Sequence, residues 1–140
     1  MSGVASIRPF FRQQLDALGY REWKDGFNFT NIPSSLLDRS YHLSTPSSAR
    51  LGPWDQASQE LHQDVVVRVF LKGFKNPAAA IDDAMSRYDN ILTRIFDPSK
   101  RLGCEIKNIY LNTMEILPFA ESNDNSITLE ITFSCLIIFG

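Results

Sequence analysis

Ser126-Ile-Thr-Leu-Glu-Ile-Thr-Phe-Ser-Cys-Leu-Ile-Ile-Phe-Gly140 reads in two halves. From Ile127 to Phe133 it alternates, with Ile127, Leu129, Ile131 and Phe133 on one side and Thr128, Glu130 and Thr132 on the other. That period of two predicts a half-buried strand. From Cys135 onward Leu136 and Ile138 put large apolar groups on the side that had been polar. A strand that is apolar on both sides needs cover on both. One helix layer covers one face of a sheet, and a neighbouring subunit is the expected cover for the other.

Working back from this strand, Ile106–Phe119 predicts its hairpin partner, joined through the turn-forming run Glu121-Ser-Asn-Asp-Asn-Ser126. Before it, Asn76-Pro77 supplies an N-cap and a first-turn proline. The helix they open carries Ile81, Ala84, Met85, Tyr88, Ile91, Leu92 and Ile95 as an apolar stripe and stops at Asp97-Pro98. Leu61–Phe74 predicts a long strand with Leu61, Val65, Val67, Val69 and Leu71 on one face. His62, Asp64, Val66, Arg68, Phe70 and Lys72 make a mixed second face, suited to water or a partner.

Asp38–Thr45 predicts a first strand, and Pro46–Ser58 a long loop of turn formers. Tyr20–Leu37, dense in aromatics, predicts an irregular wall on the sheet. Near the start, Ile7, Phe10, Phe11, Leu15 and Leu18 fall at helical spacing, with Ser6 placed to cap and Gly19 to stop. The sum is a single α+β domain over residues 1–140, in the order α-β-β-α-β-β. It predicts an antiparallel four-stranded sheet with two main helices packed on one face. The expected core is Ile7, Phe11, Leu15, Val65, Val67, Val69, Ile81, Tyr88, Leu92, Ile131 and Phe133.

At 140 residues a chain buries roughly two-thirds of its unfolded surface, so neither metal nor disulfide is required for stability. The hydrophobic fraction of 44% and charged fraction of 21% are those of a globular protein. A net charge of -2 argues against a dedicated nucleic-acid binder, which needs a basic surface. Met1–Pro9 lacks a basic region followed by an apolar run, so no signal peptide is expected and the Asn28-Phe-Thr30 triplet reads as a chance match. No run is long and apolar enough for a membrane helix.

Catalytic signatures are absent from the sequence. It has no Cys-x-x-Cys, His-x-His or Glu-x-x-His spacing, no nucleophile elbow and no phosphate-binding glycine loop. His42 and His62 lie on expected hairpin partners, with Asp64 beside His62; facing each other, they would be a metal or proton-sharing pair. A surface cross-strand contact is the plainer reading. Cys104 and Cys135 sit in or beside apolar strands and are expected to be inert thiols. Arg50, Leu51 and Trp54 in the long loop are residues of the kind found at protein contacts.

The phrases Ala17-Leu-Gly-Tyr-Arg-Glu-Trp23, Asp25-Gly-Phe-Asn28, Asn31-Ile-Pro33, Asp38-Arg-Ser-Tyr-His-Leu43 and Val67-Arg-Val-Phe-Leu-Lys-Gly-Phe74, with the capped helix after them, span nearly the whole chain. In layout and wording the chain resembles the tail terminator (tail completion) proteins of long-tailed bacteriophages. The resemblance implies a structural virion protein without enzymatic activity, cofactor or metal. It implies a ring, usually of six copies, that caps the finished tail tube and offers a docking surface to the head-tail connector. Expected partners are further copies of the chain, the tail tube protein and the connector, with DNA only in transit and no membrane. The expected place is the head-proximal end of the tail, reached from the host cytoplasm.

The family carries no catalytic residues to transfer, so the contact surfaces rest on the residues themselves. Val66, Arg68, Phe70, Lys72, Leu136 and Ile138 are the expected subunit interface, and Arg50, Leu51 and Trp54 the expected tube or neck contact. Two other readings compete: a head-side neck adaptor or stopper, and a small metal-dependent hydrolase built on His42, His62 and Asp64.

Overall fold

The computed structural model describes residues 3–23, 39–46, 48–51, 59–71, 76–101, 105–118 and 127–139. Helix α1 (Ile7–Ala17) follows a short 3-10 turn, Gly3–Ser6, and helix α2 is Pro77–Ile95. The strands are β1 (Arg21–Glu22), β2 (Ser40–Ser44), β3 (Ser48–Leu51), β4 (Gln59–Leu71), β5 (Ile106–Pro118) and β6 (Ile127–Phe139). The sheet order is β1-β2-β4-β6-β5, with β3 also paired to β4.

The fold is α+β with both main helices in place, but the sheet differs from the four antiparallel strands expected. Among the described residues it has six strands, and it is mixed because β1 runs parallel to β2. The other addition is β3. It lines up along β4 at Leu51↔Glu60 to Ser48↔Gln63, just beyond the stretch where β2 pairs Ser44↔Val66 to Ser40↔Phe70. The two are one strand interrupted around Pro46, whose nitrogen has no hydrogen to donate to a ladder. Four residues of the expected 46–58 loop, Ser48–Leu51, are therefore strand, and residues 47 and 52–58 lie outside the described residues.

Strand β6 lies between β4 and β5, paired over its full length with β4 and, past two bulges, with β5. Its register with β4 runs from Gln59↔Phe139 to Leu71↔Ile127, so the odd residues of both strands share one face. Onto that face pack Ile7, Phe10, Phe11 and Leu15 of α1 and Ala80, Ala84, Ile91 and Ile95 of α2, all buried. The Phe133 ring lies 5.4 Å from that of Phe11 and 6.0 Å from that of Phe96, so one strand residue meets the α1 and α2 sides of the helix layer.

Caps fix the helix ends. Asn76 accepts from the Ala79 N–H at 2.8 Å, with Pro77 next. Gly19 ends α1 at φ +93°, a conformation that a side chain resists. Ser6 makes no side-chain cap bond; the 3-10 turn leads into α1 instead.

Of the expected core, Ile7, Phe11, Leu15, Val65, Val67, Val69, Ile131 and Phe133 are fully buried. Ile81 is 49% exposed, and Tyr88 and Leu92 are only partly buried. The reason is the narrowness of the contact: α2 approaches the sheet through Ala80 and Ala84, and Ile81 and Met85 fall on its flank.

Candidate functional site: the helix-free face of the sheet

No helix among the described residues packs on the second face of the sheet. Register places its side chains in rows: Ser40–Phe70–Thr128, His42–Arg68–Glu130, Val66–Thr132, Asp64–Ser134 and His62–Leu136. Cross-strand neighbours on one face touch, so each row is a contact. The Arg68 guanidinium donates to Glu130 at 2.8 Å, and the Ser134 hydroxyl to Asp64 at 3.0 Å. The Arg68 and Glu130 side chains are 31% and 24% exposed, half-sheltered rather than solvated.

This face was expected to be open to a neighbour. Part of it is closed. Phe70 is 0% exposed and Val66 8%, both outside the main core cluster, and Ser40, His42, Thr128 and Ser134 are buried beside them. Phe70 is thus an interior residue of the single chain and is not available to another copy. Arg68 and Leu136 keep partial exposure. Lys72 and the Ile138 side chain lie outside the described residues, though the Ile138 backbone pairs with Glu60.

His42 and His62 are not opposite each other. His42 pairs with Arg68, while His62 pairs with Ala49 and Leu136 and sets its ring 6.0 Å from that of Tyr110. Six positions of β4 separate the rows, roughly 20 Å at strand rise. The proposed pair therefore does not form, and Asp64 is committed to Ser134. Among the described residues no group of three or more His, Cys, Asp or Glu is placed to hold a metal. Burial, then the positive charges of Arg68 and Arg8, hold His42 below the usual imidazole range, with Glu22 opposing.

The loop residues divide. Arg50 and Leu51 belong to β3, their backbones paired with Leu61 and Glu60; Trp54 lies outside the described residues. Cys135 is buried on the helix face, and Cys104 lies outside the described residues.

Sequence patterning did not mark the polar ties at the β1 edge. The Tyr41 hydroxyl donates to Asp16 at 2.7 Å, and burial with that bond pushes the phenol well above its ordinary value. Arg12 pairs with Glu22, and Arg8 donates to the Leu43 carbonyl at 3.0 Å. On the other side of α1, Arg94 donates to the buried Gln14 at 2.9 Å and Arg87 to the Tyr20 hydroxyl at 3.3 Å. A polar residue at helical spacing, such as Gln14, carries no signal until its partner is known. Comparison with known protein families finds no matching family model, and comparison with curated proteins finds no match.

Proposed function

We propose that this chain is a ring-forming subunit that caps a bacteriophage tail tube, ends its polymerisation and presents a docking surface to the head-tail connector. The resemblance of its phrases and layout to tail terminators carries the reading. One feature of the fold supports it: a sheet with both helices on one face and, on the other, a half-sheltered row through Arg68 and Glu130. Ring closure needs heterologous contacts, with different surfaces meeting on successive copies.

With Phe70 inside the chain, Arg68, Leu136 and the rim around Glu130 are what this face offers a neighbour. Charged groups at such a rim set register more than affinity. The net charge of -2 suits a passage through which DNA slides, because basic linings hold phosphates.

Electron microscopy of particles assembled without this chain tests the proposal. The expected result is tails of uncontrolled length. Tails of normal length that fail to join heads would overturn it in favour of a neck adaptor.

A further inference from the structure

Strand β5 is the last strand on one side of the sheet, paired only with β6 among the described residues. Lys107, Asn108, Tyr110, Leu111, Asn112, Thr113, Glu115 and Leu117 are all exposed, so its outer edge is open over most of its length. Three large apolar side chains stand exposed along it: Tyr110 at 43%, Leu111 at 39% and Leu117 at 39%. An open edge of this length offers backbone groups to another strand, apart from the Ile109 N–H, which donates to Asn108 Oδ1 at 2.9 Å and would have to exchange that partner.

Leu111, opposite Phe133, lies on the helix face, whereas Tyr110 and Leu117, opposite Ser134 and Thr128, lie on the other; the helix above continues the patch from Leu111. On α2, Arg87 and Arg94 reach Tyr20 and Gln14, so that flank looks toward α1. Ile81 and Met85 lie on the opposite flank at 100° per residue, and α2 packs over β5 and β6. Both are about half exposed. The helix layer stops short of the sheet edge and leaves Ile81, Met85 and Leu111 without cover.

We propose that the open edge of β5, with the α2 flank above it, docks a second copy of this chain, whose own β5 adds antiparallel across a two-fold axis. The opposite edge of the sheet is a poor match. Among the described residues it is broken into the two residues of β1, the end of β2 and the four of β3, and it is dressed with the Arg12–Glu22 pair. Strand β5 is the described free edge long enough to pair with β5, and its apolar flank is self-complementary, as an isologous contact requires.

The bulges fix the register. They reset the alternation at Lys107 and Asn112, a device that deters pairing with an arbitrary strand. Two copies carry the same bulges. Faces then match when Asn108, Ile109, Tyr110 and Leu111 meet Leu117, Ile116, Glu115 and Met114 of the second copy, with Asn112 beside the axis. Both helix layers fall on one side, so each Ile81–Met85 flank meets the other. This contact is two-fold and does not depend on the ring reading.

Light scattering across a wide range of concentration tests it on the full chain. The wild type is expected to show twice the mass of one chain, with amides of 106–118 more slowly exchanging as concentration rises. Leu111→Lys and Met85→Lys should each return the mass of one chain while keeping the far-UV spectrum and melting temperature. If Leu111→Lys loses its fold, Met85→Lys, on the helix surface, decides. A wild type that stays a single chain, or a dimer that both folded variants leave intact, would overturn the proposal.

Discussion

Two aromatic residues on opposite faces of the sheet show how far periodicity reaches. Phe133 falls on the predicted face and touches rings from α1 and from the end of α2. Phe133→Ala is expected to cost about 3–5 kcal/mol in chemical denaturation; a loss below about 1 kcal/mol would mean that the site collapses around the deletion. Phe70 was legible as a strand residue on the mixed face, yet its burial was not, because alternation says which face a side chain takes and nothing of what lies over it. Phe70→Glu is therefore expected to unfold the chain, since a carboxylate there would be stripped of water. A folded Phe70→Glu protein would contradict its interior placement. His42 gives a pH signature. Its native value is lowered, so as pH falls below about 6.5 the unfolded chain takes up the proton first and stability drops. The loss is complete only below the native value, and none of it is present well above 6.5. Denaturation at pH 7.5 and pH 5 should show this fall, and His42→Gln should flatten it.

At the scale of elements, strong patterns were read correctly and short ones were not. The capped helix at Asn76-Pro77 and the long strands β4 and β6 each carry a period over many residues, and β5 is a long apolar-rich run whose alternation the two bulges reset. By contrast, β1 has two residues and β3 four, within aromatic-rich and serine-rich stretches whose side chains show no alternation. Their strand character comes from backbone pairing alone, as in the Trp23 N–H that reaches the Tyr41 carbonyl at 2.7 Å. The α2 stripe is narrower than its apolar residues suggest: Ile81 and Met85 look equivalent to Ala84 in sequence, but the helix sits on its alanines and leaves both about half exposed. The cap and stop are testable. Asn76→Ala should cost about 1 kcal/mol by removing the bond to Ala79. Gly19→Ala should cost about 1 kcal/mol from its positive φ alone, because a Cβ there meets nothing within 4 Å. An unchanged denaturation midpoint in either variant would count against the corresponding assignment.

For the whole molecule, the two proposed contacts lie on different surfaces and should separate by mutation. The helix-free face offers Leu136 and Arg68 between strands β4 and β6, in the middle of the sheet. The β5 edge and the α2 flank lie at its border. A ring built on the first needs successive copies related by a rotation that is not two-fold, whereas the second closes on itself with two copies. A chain that used one surface for both would have to dissociate its dimer before every ring. With separate surfaces, Leu136→Glu should leave the mass of the free protein unchanged and yield particles with tails of uncontrolled length. Met85→Lys should do the reverse, giving single chains that still limit tail length. Substitutions more than about 7–10 Å apart with no shared partners act independently, so the double variant should show both defects with neither enlarged. If Met85→Lys alone released tail length, the β5 border would be part of the ring contact, and the division between the two surfaces would be wrong.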